Sequence, residues 1–499
     1  MTKTVLINTL INYASKNLIL DNRDKRYLFN FLLHKFNIDS PETDEYEECQ
    51  IDELIKYIKE TGVIEGLCHD IDSERFVTEI MGILTPLPSK IEDVFWDYYS
   101  KDQEMACKFL YDLQVKNNYI KATQIALNKH WKTEFPNNFL EITINLSKPE
   151  KDNKVTARLI DTVSNTYPKC LLCKENLGYA GRKDAPARQN LRTIGFKLED
   201  ENWFMQFSPY QYYEEHVIII NEKHLNMKID QSTFRKLIAF VDLFPNYFIG
   251  SNTELPIVGG SILNHEHYQG GKHLMPIFFA PLKFHFANKQ YPDCQIEYLN
   301  WYNSCIVLKS QNRENLISLA TNILDEWKKY DDEEVDIIAK TIAQHNTITP
   351  IVRKIDKEYT IYLILRNNRT NERYEDGIFH SHKEYHNIKK EAIGLIEAMG
   401  LFILPGRLDR QFKIIKDILQ GKISLSDALI ETPDLMVHKE MIADAIINNG
   451  ERNSDDKADL IIRNYIDKTC VKILECTAVF KNNALGDEHL LKFIKRLDL

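Results

Sequence analysis

A chain of 499 residues is too long for one small hydrophobic core and predicts two or three structural units. Its 43% apolar and 27% charged residues are ordinary for a globular protein, and its formal net charge of −10 argues against a general binder of nucleic acid or anionic membrane. No apolar run approaches the roughly 20 residues that span a bilayer, and nine cysteines at scattered spacing read as reduced thiols rather than a disulfide framework. The N-terminal pattern is an amphipathic helix without the charged, apolar and small-residue parts of a signal peptide, so a cytoplasmic location is expected.

From residue 1 to about 135 the pattern is helical, with apolar residues at three- and four-residue spacing in LIKYIKE, RFVTEIMGIL and ACKFLYDL. Asp70, Asp72 or Ser73 is expected to cap the helix that carries Phe76 and Ile80. Leu140 to Leu146 alternates and reads as the first clear strand, and the polar SKPEKDN after it as a turn. Between about 140 and 385 strand-like runs appear at His216–Ile220, Pro276–Ala280, Ser304–Leu308 and Tyr359–Leu365, with helical stretches at Ser232–Phe244 and Asn315–Tyr330. This mixed order with hairpin-like spacing predicts an α+β fold rather than a doubly wound parallel sheet. After His386 the chain reads as helical to the end, with Ile388, Ala392, Leu395, Ile396 and Met399 as an apolar stripe.

Four stretches carry chemistry. In ELPIVGGSILNHEHYQGG, Glu254 to Gly271, the residues His265, His267 and Gln269 are two apart. In a strand they share one face, with Glu266 and Tyr268 on the other. Paired imidazoles beside Gly259-Gly260 and Gly270-Gly271 suit attack on a phosphate, because the glycines allow close backbone approach; as plain structure they are two tight turns around solvated or packed histidines. Cys170-Leu-Leu-Cys173 has the spacing that grips one zinc ion, with His224 and His265 as candidates for the remaining ligands; as plain structure it is a pair of buried thiols. In GYAGRKDAPARQNLR, Arg182, Lys183, Arg188 and Arg192 face only Asp184, a cationic loop suited to phosphate; as plain structure it is a solvated loop. Last, His380, His382 and His386 precede a predicted helix carrying Glu391 and Glu397, a set for a metal or a sugar, or surface histidines before an amphipathic helix. His380-Ser-His382 echoes His265-Glu-His267 and hints at an internal duplication.

The Glu254 to Gly271 stretch resembles the signature of the class II galactose-1-phosphate uridylyltransferases, a bacterial branch of the histidine-triad superfamily. Asn264 stands where a small Ser or Ala is usual. The resemblance runs in family order from about 140 to 410, through LEITINLSKPEKD, PKCLLCKENLGYAGR, PARQNLRTI, YYEEHVIIINEKHLNM, HNTITPI and NNRTNERYEDGIFHSHKEYHNIKKEAIGLIEAMG. It implies a duplicated histidine-triad-like antiparallel sheet core with helical N- and C-terminal regions. The expected divisions are a helical region at 1–138, a first half with the nucleophile strand at 139–290, a second half at 291–400 and a helical region at 401–499. The implied reaction passes UMP between UDP-glucose and galactose 1-phosphate through a uridylylated histidine, in a ping-pong order. The resemblance implies His267 as the nucleophile and Gln269 as the holder of a non-bridging phosphoryl oxygen. It implies Asn252 and Ser261 at the nucleotide and Glu397 at the hexose; Gly259, Gly260, Arg182, Arg188 and Arg192 join the expected substrate-binding set. By analogy with class I enzymes it implies a structural zinc on Cys170, Cys173, His224 and His265, a second metal site at His380 and His382, no organic cofactor, and a homodimer. The alternatives are another histidine-triad transferase, a phosphorylase or hydrolase of a dinucleotide, and a non-catalytic nucleotide-binding protein.

Overall fold

The structure, a computed structural model, describes residues 1–147, 167–182, 185–260 and 262–498. The chain divides into two compact units, Met1–Ala126 with Asp152–His224, and Leu127–Lys151 with Leu225–Leu499. Strands are numbered along the chain; β1 (Lys129–Glu134) and β2 (Phe139–Asn145) fall in the second unit, and β3 (Ile194–Leu198), β4 (Glu201–Phe207) and β5 (Val217–Asn221) in the first.

The first unit is helical up to Ala126, as the periodicity predicts. In the helix Ser73–Leu84 the side chains of Phe76, Val77, Ile80, Met81 and Leu84 are all buried, the three-and-four spacing of one packed face. None of the three expected residues caps it by a side-chain bond: Asp70–Asp72 forms a short 3-10 turn ahead of it, and Asp72 instead meets Arg75 at 3.1 Å. The helix Gln103–Lys116 does have a capping carboxylate, Asp102, which accepts from the Glu104 N–H at 2.8 Å. Strands β3, β4 and β5 follow as an antiparallel meander.

In the second unit seven strands lie in the order β7-β6-β11-β12-β10-β9-β8, every neighbouring pair antiparallel. They are β6 (Phe248–Gly250), β7 (His267–Gly271), β8 (Leu282–Phe286), β9 (Gln295–Leu299), β10 (Cys305–Ser310), β11 (Asn346–Ile355) and β12 (Glu358–Asn367). The central β12 is buried along nearly its whole length, which its continuous apolar run YTIYLIL foretells. The helices Gln231–Leu243 and Arg313–Trp327 pack against β11 and β10. A second, three-stranded sheet joins β1 and β2 to β13 (Leu401–Pro405), which runs parallel to β2. The helices Arg407–Leu419, Lys439–Asn449, Asp455–Thr477 and Ala484–Arg496 follow.

The α+β expectation and the helical terminal regions therefore hold, and three local expectations do not. Pro276–Ala280 is not a strand but a 3-10 turn over Pro276–Phe279, since a leading proline brings no N–H to a sheet ladder. The stretch after His386 is not continuously helical: only Leu395–Ala398 coils, between Gly394 and a Gly400 at φ +98°, and LFILP then runs as β13. The stripe residues Ile388, Leu395, Ile396 and Met399 are nonetheless buried. Strand β1, KHWKTE, precedes the one expected first; its polar composition and mostly exposed side chains hide it. Most of the expected SKPEKDN turn lies outside the described residues.

Candidate active site

His267 opens β7 and His265 lies just before it. The chain bends at Asn264 and His265 and is tied to the segment Leu225–Met227: Met227 N–H donates to the Leu263 carbonyl at 2.8 Å and Glu266 N–H to that of Leu225 at 2.6 Å. The His267 N–H meets Met227 Sδ at 3.3 Å. Both imidazoles are buried, with His267 7% exposed. Nδ1 of His267 lies 2.7 Å from the carbonyl oxygen of His265. Burial pushes the His267 pKa down to about 4, so the ring is neutral at pH 7. A neutral ring beside a carbonyl must carry its proton on Nδ1 to donate to it, which leaves the lone pair on Nε2. The tautomer is thus set by the backbone of the neighbouring histidine. On the opposite face, as the strand alternation predicts, Glu266 pairs with Lys236 at 2.9 Å and accepts from the Tyr268 hydroxyl at 3.1 Å.

The glycines serve the chain's own packing. A Cβ on Gly270 would stand 2.3 Å from the Phe248 carbonyl of β6, and one on Gly259 2.5 Å from that of Leu255. Gly260 leaves room for the Asn252 amide, whose Nδ2 would lie 2.8 Å from a Cβ there. Asn252 accepts at Oδ1 from the Leu395 N–H at 2.9 Å, and a Cβ on Gly394 would meet this same Oδ1 at 3.0 Å and Glu397 at 3.7 Å. Asn252 and Glu397, 145 positions apart in the chain by their numbers, therefore flank one turn. Lys389 pairs with Glu397 at 3.0 Å. Ser261 lies outside the described residues.

Sequence reasoning missed Arg366, at the end of β12. It is 1% exposed, its Nη2 donates to the Ile393 carbonyl at 2.7 Å, and its Nε and Nη1 have no hydrogen-bond partner among the described residues. Burial lowers its pKa to about 10, opposed by the charge of Glu397, so it stays a cation at neutral pH. Its signal in the sequence was an arginine closing an apolar strand run.

In the first unit Cys170 Sγ and Cys173 Sγ are 3.5 Å apart, and Cys173 Sγ lies 3.1 Å from His224 Nδ1. Zn–S bonds of about 2.3 Å in a tetrahedron imply edges of roughly 3.8 Å, so two thiols and an imidazole at these separations fit a metal-binding cluster compatible with structural zinc. The basic loop divides by task. Arg192 spends its guanidinium on the carbonyls of Gly82, Thr85 and Pro86, at 2.6–3.2 Å, and on those of Gln189 and Leu191. It fastens the end of the helix Ser73–Leu84 ahead of β3 rather than presenting a fork to phosphate. Arg188 lies over the Tyr119 ring and donates to its hydroxyl at 3.2 Å, while Arg182 donates to the Tyr167 carbonyl at 2.7 Å.

His380 and His382 do not gather a metal set. Among the described residues, no third His, Cys, Asp or Glu joins the two within ligand spacing. His382 places Nε2 3.1 Å from the Ile378 carbonyl, and Glu391 lies in a loop rather than on a helix.

With this geometry in view, comparison with known proteins is decisive. Residues 46–226 match the family described as "Galactose-1-phosphate uridyl transferase, N-terminal domain", and residues 240–424 its C-terminal domain. The chain belongs to the galactose-1-phosphate uridyl transferase family. A galactose-1-phosphate uridylyltransferase of Caldanaerobacter subterraneus subsp. tengcongensis is 41% identical over 98% of this chain and 97% of its own length. One from Fusobacterium nucleatum is 41% identical over 99% and 98%, and galactose-1-phosphate uridylyltransferase 1 of Streptococcus pneumoniae serotype 4 is 40% identical over 100% of both. Among the described residues, no helix is long and apolar enough to cross a membrane.

Proposed function

We propose that this chain moves UMP between UDP-glucose and galactose 1-phosphate through a uridylyl group carried on His267. One observation carries the reading: a buried, neutral imidazole whose Nδ1–H is held by the His265 carbonyl, with Nε2 as its lone pair. The names of relatives 40–41% identical across nearly the full chain support galactose 1-phosphate and a uridylyl group as what is joined, and UDP-glucose as the donor rests on the resemblance of the Glu254 to Gly271 stretch.

In the first half-reaction the Nε2 lone pair attacks the α-phosphorus of UDP-glucose. The N–P bond forms as the bond to the bridging oxygen breaks, and glucose 1-phosphate leaves with that electron pair. The ring gains positive charge as it does so, and the His265 carbonyl accepting from Nδ1–H stabilises it. Galactose 1-phosphate then attacks the same phosphorus and the N–P electrons return to Nε2. The leaving group is already a phosphate monoester, so proton donation to it contributes little. Gln269 holds a non-bridging oxygen, Asn252 and Ser261 the nucleotide, and Glu397, with Lys389 against it, the hexose. A structural zinc on Cys170, Cys173 and His224, with His265 as fourth ligand, belongs to the same proposal, as does a homodimeric assembly; no reaction step runs through the metal.

Mixing the purified protein with UDP-glucose and mapping peptides by mass spectrometry tests this. A UMP-sized adduct on His267 with release of glucose 1-phosphate is expected. No adduct and no glucose 1-phosphate would overturn the reading, and steady UMP release without sugar phosphate would indicate a hydrolase. Elemental analysis should find about one zinc per chain, lost in Cys173→Ser.

A further inference from the structure

The reaction uses one face of the nucleophile strand, yet the opposite face buries an ion pair. We infer that Lys236, Glu266 and Tyr268 are positioning residues that pin the register of β7 and so aim Nε2 of His267. The inference rests on the reading of His267 as nucleophile.

Strand β7 is five residues long, HYQGG. Its own pattern specifies register poorly, because two of the five are glycines and only Tyr268 offers a large apolar surface. The ladder to β6 pairs only Gln269, Gly270 and Gly271, and the His267 N–H, beyond those pairs, meets the Met227 thioether at 3.3 Å. A slip of one residue would turn every side chain to the other face, sending Glu266 to the imidazole side and His267 into the packing.

The pin opposes that slip. Lys236 Nζ lies 2.9 Å from Glu266 Oε1, with side chains 3% and 1% exposed, and the Tyr268 hydroxyl donates to the same oxygen at 3.1 Å. Lys236 sits on the helix Gln231–Leu243 among the buried Thr233, Phe234, Leu237, Ile238, Phe240 and Val241. The start of that helix is fixed by Asp230, which accepts from the N–H groups of Ser232 and Thr233 at 2.8 and 3.3 Å. The lysine therefore presents its charge from a fixed place. A buried ion pair is commonly no more stabilising than apolar residues of the same shape, whereas half of one left behind is strongly unfavourable. Stability alone does not explain this pair; intolerance of any register that separates it does.

The test replaces both charges together with groups of similar volume, K236M/E266Q, and measures single-turnover uridylylation of His267 from UDP-glucose beside the wild type. The expected result is a double variant with near wild-type melting temperature and about one UMP bound per chain at completion. Its labelling rate should fall about 10- to 100-fold with the KM for UDP-glucose changed less than about threefold, the signature of a misaimed nucleophile. Labelling at the wild-type rate would overturn the inference, as would a reduced end point reached at the wild-type rate, which would mean only damaged protein. If K236M/E266Q does not fold, Tyr268→Phe removes one hydroxyl from the pin. A rate about fivefold lower with full stoichiometry supports the inference, and an unchanged rate overturns it. A wild-type protein that takes no UMP on His267 would instead remove the underlying reading, a result distinct from both.

Discussion

The second unit holds two His-x-His pairs in different surroundings. His265-Glu-His267 leads from a bend at His265 into β7, with Glu266 salt-bridged behind it and the His267 ring locked by a 2.7 Å bond to the His265 carbonyl. His380-Ser-His382 lies outside any strand. Neither ring nitrogen of His380 has a hydrogen-bond partner among the described residues, and His382 points Nε2 at the Ile378 carbonyl, stacked on Tyr374 at 4.2 Å. Burial pushes both His267 and His380 down to about 4, the latter helped by the charge of Arg366. Neutrality is therefore common to the two buried rings and does not mark a nucleophile. The difference lies at the second nitrogen: His382, held at Nε2 by the Ile378 carbonyl, has its Nδ1 3.5 Å from Cys476 Sγ, whereas a proton fixed on Nδ1 of His267 leaves a directed lone pair on Nε2.

Substitution breaks that comparison most directly. His267→Ala should lower uridylyl exchange by at least about 10³-fold, because the covalent route is lost, while circular dichroism and melting temperature stay near wild type. His382→Ala should cost less than about tenfold. Equal losses in stopped assays of the two variants would show that the second pair shares the chemistry.

Part of the first pair's geometry was legible because side-chain alternation follows from local spacing. A strand period of two put His265, His267 and Gln269 against Glu266 and Tyr268, and the opposite-face placement of those two is what the structure displays. The partners that give the motif its direction were not legible. Lys236 comes from a helix whose periodicity marks it as one more position on an apolar face, Arg366 from the end of an apolar strand, and Met227 from a segment with no regular structure. The Arg192 cluster misled for a physical reason: four cations near one another suggest phosphate, but a planar guanidinium with five donors also fits a ring of helix-end carbonyls. The second pair misled through its flank, where an apolar period continued past Gly394 although the chain turned into β13.

A smaller effect sharpens the contrast by pH. The unfolded chain protonates His380 near 6.5 and the folded chain only near 4, so between those values the unfolded state binds more protons. The contribution of neutral His380 is present in full above about pH 6.5 and is lost as pH falls toward 4. Arg366 and His386 oppose protonation and Asp376 favours it, burial being the largest cause. His380→Leu should cost little at pH 7.5, since no hydrogen bond of the ring is removed. From pH 7.5 to 5 the wild type should lose about 2 kcal/mol more than the variant, measured by urea unfolding. Parallel curves would show that His380 is charged, or already exposed, in the folded protein.

The smallest expected effect concerns the stacking of Tyr374 on His382, ring centroids 4.2 Å apart and planes 21° from parallel. Such a contact contributes about 0.5–1.5 kcal/mol, and here it holds a ring whose Nε2 is 3.1 Å from a carbonyl and whose Nδ1 lies 3.5 Å from Cys476 Sγ. Both nitrogens have neighbours within the protein, so loosening the ring should disturb only local packing. Tyr374→Leu is expected to lower stability by about 1 kcal/mol and to leave the exchange rate within about twofold, since neither the held Nδ1 of His267 nor its Nε2 is touched. A tenfold fall in rate at wild-type stability would place His382 in the reacting machinery and would erase the distinction between the two pairs.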